Sequence, residues 1–122
     1  MQTELKQRWL DALRSGEYKQ GKGFLRKQST GESETRYCCL GVLCDIMQAE
    51  WGEPRSPNVL EEVSPKTKIY PASYAGSQDV SILPPTISEA AELDDHAQDL
   101  LAEMNDNGKR FKSIADWIEK NL

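Results

Sequence analysis

The 122-residue sequence lacks any apolar run near the roughly 20 residues that a membrane-spanning helix needs, and it has a single histidine. Residues 1–6 have the pattern of a helix start rather than of a signal peptide. The three cysteines are odd in number and two are adjacent, which argues against a disulfide framework. These absences predict a cytoplasmic protein with reduced thiols and no membrane contact.

The charge balance limits the classes of partner. A net charge of −5 argues against general nucleic-acid binding, because phosphate backbones attract basic surfaces. The charge is uneven, since residues 1–28 hold seven basic and three acidic side chains, a balance of +4. This local excess fits either a solvated face or a site for an anion such as phosphate.

The length and the apolar pattern predict one α+β domain over residues 1–122, with several helices packed on a small antiparallel sheet. An N-terminal helix capped by Thr3 should stop at residues 15–16, and a β-hairpin should follow it. Apolar periodicity and turn-forming residues place the other elements. Asp95 is predicted to cap a helix, and residues 105–108 are predicted to end it. Strands are predicted over residues 23–28, 35–37, 66–70 and 80–83, a loop over 52–65, and helices over 38–49, 87–93, 95–104 and 112–120.

The cysteines have three competing interpretations. Their C-C-x-x-x-x-C spacing, with His96 far along the chain, does not match a structural zinc site, and residues 103–114 fail the calcium-loop pattern. No metal or cofactor is therefore predicted. Cys38 or Cys39 at a helix start would favour a thiolate nucleophile, but His96 is the only candidate histidine base. Alternatively, the cysteines are small core residues, as free cysteines usually are.

The segment Lys19–Gly23 could cradle a phosphate through glycine amides and two lysines, although it lacks the established phosphate-loop patterns. A flexible loop that leads into the hairpin is the simpler interpretation. Trp51 follows a helix and precedes a glycine, so it either covers the edge of the core or stacks on a ligand.

Three stretches together resemble a group of small proteins encoded by tailed bacteriophages and prophages. These are residues 9–25, the Y-C-C-L-G-V-L-C-D run at 37–45, and the N-D-x-G-x-x-F-x-x-I-A-D-W-I-E run at 105–119. Members usually have leucine where this chain has Met104. The resemblance implies an accessory protein acting in the bacterial cytoplasm, and it implies no activity.

Small acidic accessory proteins of phages suggest three hypotheses. The first is a non-enzymatic sponge that counters bacterial defence by binding a phosphate-bearing, nucleotide-like signal. The second is an inhibitor that binds a host or defence protein, and the third is a cysteine-dependent hydrolase or transferase. A homo-oligomer is compatible with each. The sponge would use Tyr18, Gln20, Lys22, Arg26, Arg36 and Trp51, whereas the inhibitor would use Glu50, Glu53, Glu61, Glu62, Glu89, Glu92, Asp94 and Asp95.

Overall fold

The computed structural model describes residues 1–29, 34–52, 55, 57, 59–63, 65–66 and 83–122. Over these ranges the chain forms five helices and a three-stranded antiparallel sheet, which confirms the predicted α+β class. The elements in chain order are α1 (Thr3–Arg14), β1 (Arg26–Gln28), β2 (Arg36–Tyr37), α2 (Cys39–Ile46), β3 (Glu50–Trp51), β4 (Glu61–Val63), β5 (Pro65–Lys66), α3 (Pro85–Ala90), α4 (Asp95–Asp106) and α5 (Phe111–Asn121).

Helix α1 is amphipathic and packs against both α2 and α5. Its spacing of large apolar residues buries Trp9, Leu10 and Leu13 on one face. The helix ends at Arg14, just before the predicted stop at residues 15–16. The predicted cap was wrong, because Thr3 already lies in the first turn and Gln2 holds the cap position without a side-chain hydrogen bond.

Helix α2 is the buried centre of the domain. All residues from Cys39 to Cys44 are buried, and only Asp45 and Ile46 at the end of the helix are partly exposed. Gly41 permits this packing, since a Cβ there would lie 1.8 Å from the carbonyl oxygen of Leu25. The helix ends at Ile46, before the predicted residue 49, and Gln48 then adopts a left-handed φ of 63°.

The main sheet has the strand order β2-β1-β4. The predicted hairpin is present, with Arg26 opposite Tyr37 and Lys27 opposite Arg36. Strand β4 lies within the predicted 52–65 loop, so that prediction was wrong there. This short strand carries two glutamates, so its sequence has only a weak apolar pattern. The strand is defined by its pairing with β1.

The second half of the described chain is helical. Pro85 opens α3 as predicted, and Asp94, rather than Asp95, caps α4 by accepting a hydrogen bond from the Ala97 N–H at 2.8 Å. Helix α4 stops two residues into the predicted turn, and α5 covers the predicted residues 112–120. The predicted 66–70 and 80–83 strands lie mostly outside the described residues, although β5 includes Lys66 and pairs with β3.

The close approach at Gly41 generates a stability prediction. Gly41→Ala should lower the free energy of unfolding by about 3 kcal/mol, because the new methyl group overlaps the backbone at Leu25. Gly16→Ala is the control, since Gly16 has a φ of 79° with open space around it and should cost only about 1 kcal/mol. Urea unfolding measures both losses. Equal stability of the two variants would contradict the proposed packing.

Candidate ligand-binding site

The three cysteines belong to the core. Cys38, Cys39 and Cys44 are 4%, 0% and 0% exposed, respectively. The Cys38 sulfur caps α2 by accepting a hydrogen bond from the Gly41 N–H at 3.4 Å. Burial nevertheless raises the pKa of Cys38 to about 11, despite hydrogen bonds that favour the thiolate. The expectation of a thiolate at this helix start was therefore wrong.

The other two thiols are also held in the protonated form. The Cys39 thiol donates to the Leu101 carbonyl oxygen at 3.6 Å. Burial raises the pKa of Cys39 and of Cys44 well above the ordinary thiol value. His96, the one histidine, is exposed on the first turn of α4. This arrangement explains all three cysteines as packing residues.

A cluster of aromatic side chains surrounds Arg26. Arg26 on β1 and Tyr37 on β2 are cross-strand partners, and the guanidinium lies 5.3 Å from the centre of the Tyr37 ring. The same guanidinium lies 5.1 Å from the centre of the Trp51 ring. Both distances are in the range of cation–π attraction. The Tyr18 ring meets Tyr37 edge-on with centroids 5.0 Å apart, and Trp51 does so at 6.2 Å. We call Tyr18, Arg26, Tyr37, Asp45 and Trp51 the aromatic cluster.

Asp45 holds the aromatic cluster together from the end of α2. Its carboxylate accepts hydrogen bonds from the Tyr18 hydroxyl at 2.7 Å and from the Trp51 Nε1–H at 3.2 Å. Burial, and then the Asp45 carboxylate, raise the pKa of Tyr18. Burial also raises the pKa of Tyr37. Both phenols therefore stay neutral at physiological pH and present uncharged rings.

A surface cavity of about 650 Å³ opens beside the aromatic cluster. This volume falls in the range of small-molecule sites. Its lining combines two phenol rings with charged and hydroxyl groups from the 17–19 loop, the start of β2 and the end of α2. The lining residues are Glu17, Tyr18, Lys19, Glu34, Thr35, Tyr37 and Asp45.

The charges at the cavity are partly paired. The Glu34 carboxylate forms ion pairs with Lys19 and with Arg36, the latter at 2.9 Å. Arg36 also reaches the backbone oxygen of Gln20 at 3.4 Å. In contrast, the Arg26 side chain has no hydrogen bond or ion pair within the described ranges, and its Nε is buried without a partner there. The cavity therefore has a paired cationic edge, and the adjoining cluster holds a guanidinium without an anionic partner among the described residues.

The six residues nominated from the sequence are only partly brought together. Tyr18 lines the cavity, Arg26 and Trp51 contact its Tyr37 wall, and Arg36 pairs with Glu34 at its edge. These four form one neighbourhood. Lys22 is exposed and does not line the cavity, so the structure leaves it apart from the other four.

Gln20 connects parts of the fold. Its side-chain amide donates to the Asn105 Oδ1 at 3.0 Å and to the Lys109 carbonyl oxygen at 2.6 Å. Its side-chain oxygen accepts from the Phe111 N–H at 3.2 Å. A role in ligand binding stays a prediction, and these contacts give Gln20 a structural role in any case.

The structure does not favour the phosphate cradle that was the alternative interpretation of residues 19–23. The Gly21 N–H donates to the Tyr37 carbonyl oxygen at 2.7 Å, and the Gly23 N–H donates to the Asp106 Oδ1 at 2.7 Å. These contacts engage both glycine amides within the protein. Neither glycine amide is therefore free to bind a phosphate.

Sequence reasoning missed Tyr37, Asp45 and Glu34 as site residues. Tyr37 and Asp45 flank the cysteine-rich helix, and an aspartate that ends an otherwise apolar helix was the available signal. Glu34 gave no clear signal: Arg36 is two residues away in the sequence, but Lys19 is brought near Glu34 only by the fold.

The fold and the site together define a small α+β domain with buried thiols and a ligand-sized cavity beside an arginine–aromatic cluster. The chain belongs to the family described as domain of unknown function DUF8296, whose model matches residues 1–122. No curated protein and no solved structure matches the chain. Across the described ranges, no helix is long and apolar enough to span a membrane. In the same part of the chain, no group of three or more His, Cys, Asp or Glu side chains could hold a metal ion.

The buried thiols generate a prediction about alkaline stability. Their folded-state pKa values are raised, so the unfolded chain releases thiol protons first as the pH passes about 8.5. Their stabilising contribution is complete below that pH and falls above it, by up to about 1.4 kcal/mol per pH unit for each thiol. Urea unfolding between pH 8 and 9.5, below the ordinary tyrosine range, measures this slope.

Cys44→Ala is the control for the thiol origin of the slope. This variant should be less stable throughout because of its cavity, but its slope should be about one third shallower. A wild-type stability that is flat between pH 8 and 9.5, or equal slopes for both proteins, would contradict the burial of ionisable thiols.

Proposed function

We propose that this protein is a non-catalytic accessory protein of phage origin that captures a phosphate-bearing, nucleotide-like molecule. The proposed place of action is the bacterial cytoplasm, where capture would remove a signal used in defence. The proposed site is the 650 Å³ cavity together with the adjoining aromatic cluster. The phage context derives from the resemblance at residues 37–45 and 105–119.

The guanidinium of Arg26, which has no anionic partner among the described residues, is the observation that carries this proposal. Tyr37 and Trp51 contact the guanidinium through their rings, and its buried Nε–H has no acceptor within the described ranges. A buried N–H without an acceptor is costly, and phosphate oxygens are acceptors that suit the geometry of a guanidinium. An anionic ligand would therefore relieve this cost on binding.

The neighbouring rings suit the other part of such a ligand. Tyr18 and Tyr37 line the cavity as neutral phenols, and a nucleobase stacks on aromatic side chains with little dependence on its identity. Thr35 adds a hydroxyl that both donates and accepts hydrogen bonds. The site thus combines stacking surface with a nearby cation, which is the chemistry that a nucleotide requires.

The cysteine-dependent enzyme is not part of the proposal. A thiol nucleophile must be accessible and at least partly ionised, and the cysteines are 0–4% exposed with a raised pKa. The buried thiols therefore favour a binding role for this domain over thiol catalysis.

A protein-binding inhibitor is the second candidate, and one surface favours it. Helices α3 and α4 carry exposed carboxylates at Glu89, Asp95, Asp99 and Glu103 that form no ion pair within the described residues. Such a surface would complement a basic protein face. Of these four, Glu89 and Asp95 were predicted from the sequence. The other predicted contributors are placed elsewhere: Asp94 caps α4, Glu92 pairs with the N-terminal amine, Glu50, Glu61 and Glu62 lie on β3 and β4, and Glu53 lies outside the described residues.

Native mass spectrometry of protein purified gently from bacterial cytoplasm tests capture. We expect an added mass of a few hundred daltons that is lost on denaturation, and fragmentation of the released molecule should show a phosphate. Arg26→Gln should lower the occupancy about 10- to 100-fold, since a hydrogen bond to a charged group contributes about 1.5–3 kcal/mol.

Lys120→Gln is the matched control, because it removes the same charge from the exposed end of α5, outside the cavity lining. Its occupancy should equal that of the wild type. A clean unliganded mass for the wild type, together with a stable complex containing a basic host protein, would replace the capture proposal with the inhibitor. Equal losses in both variants would show that general charge, rather than Arg26, governs binding.

A further inference from the structure

The ion pairs of Glu34 divide the cations near the cavity into two kinds. Arg26 lacks an anionic partner within the described part of the chain, whereas Lys19 and Arg36 share the single carboxylate of Glu34. Glu34 lines the cavity beside Lys19, and its side chain is 35% exposed. The carboxylate therefore lies between two cations at the edge of a ligand-sized space.

From this geometry we infer that Glu34 is a displaceable internal anion that occupies a second phosphate subsite formed by Lys19 and Arg36. A phosphate group entering the cavity edge would replace the Glu34 carboxylate on both cations. This inference rests on the proposed function for the class of ligand. It adds that the ligand competes with the Glu34 carboxylate for Lys19 and Arg36. Phosphate and carboxylate oxygens accept the same charge-assisted hydrogen bonds, so the exchange preserves the number of pairs.

The two cations are positioned to remain in place after the exchange. The Arg36 guanidinium also donates to the Gln20 backbone oxygen at 3.4 Å, which orients it independently of Glu34. Arg36 lies on β2, which is paired with β1, and Lys19 lies in the segment that bridges to the same strand at Tyr37. The Lys19 carbonyl oxygen accepts the Tyr37 N–H at 2.8 Å. Backbone pairing thus holds both residues on one side of the cavity.

The strength of the existing pairs favours displacement. Lys19 and Arg36 have side chains 63% and 46% exposed, and exposed ion pairs are weak and screened by salt. A phosphate brings up to two negative charges and three acceptor oxygens, against one charge and two oxygens for a carboxylate. We therefore expect a phosphate-bearing ligand to displace Glu34 and to lose only a modest part of its own binding affinity in doing so. A smaller anion of low charge would not displace Glu34.

Removing the internal anion should raise the affinity for phosphate groups. Glu34→Gln keeps the shape of the side chain and removes its charge, so we expect inorganic pyrophosphate to bind about 5- to 30-fold more tightly than to the wild type. This range corresponds to the release of one to two exposed ion pairs. Isothermal titration calorimetry with pyrophosphate at low salt measures the effect on the full chain.

Glu4→Gln is the matched control. Glu4 is exposed in the first turn of α1, outside the cavity lining, and no ion pair joins it to a cation in the described residues. The substitution changes the net charge of the protein equally without freeing Lys19 or Arg36, so it should change pyrophosphate affinity less than twofold. The double variant Glu34→Gln/Arg36→Gln should lose most of the gain. Circular dichroism confirms that each variant is folded.

The outcomes separate this inference from the proposed function. Equal gains for Glu34→Gln and Glu4→Gln, or no gain for Glu34→Gln, would overturn the role of Glu34. A captured nucleotide in the wild type with no effect of Glu34→Gln would leave the proposed function standing and this inference overturned. Conversely, a gain in pyrophosphate affinity with no captured molecule in the cell-purified protein would support the subsite and contradict the proposed function.

Discussion

The buried side chain of Asn105 is the constraint on which the rest of the structure depends. It is 0% exposed and satisfies three hydrogen bonds at once. Its Oδ1 accepts from the Cys39 N–H at 3.2 Å and from the Gln20 side-chain amide at 3.0 Å, and its Nδ2 donates to the Gly21 carbonyl oxygen at 2.7 Å. A buried amide left without these partners would cost several kcal/mol, so α4, the start of α2 and the 20–21 segment are joined at one point.

That junction also builds the candidate site. The segment held by Asn105 continues from Tyr18 and Lys19 and bridges to Tyr37, while α2 runs from the same junction to Asp45. Two walls of the cavity therefore share one buried anchor. The aromatic cluster at its edge is closed by the Asp45 carboxylate, which binds both the Tyr18 hydroxyl and the Trp51 indole N–H. A fixed cluster of this kind favours binding without a large ordering cost.

The sequence was informative wherever local signals decide the structure. Apolar spacing located α1 and α5, Pro85 marked the start of α3, and turn residues marked the hairpin. The sequence was less informative where contacts between residues far apart in the chain decide the structure. Strand β4 is defined by its partner β1, and Asn105 had the pattern of a helix stop although it is a buried hydrogen-bonding hub. The candidate site followed the same division: Tyr18 and Arg26 were nominated from the sequence and lie at or beside the cavity, but the contacts of Asp45 with Tyr18 and of Glu34 with Lys19 depend on pairing across the fold.

The most direct test of the account uses the three tryptophan indole N–H signals in an NMR spectrum. Trp51 belongs to the aromatic cluster, whereas Trp9 is buried against the Cys39 carbonyl oxygen and Trp117 lies on α5. On titration with the phosphate-bearing small-molecule fraction of a bacterial extract, the Trp51 signal should shift while those of Trp9 and Trp117 stay in place. An unchanged Trp51 signal, or a shift confined to Trp117, would contradict a ligand site at the aromatic cluster.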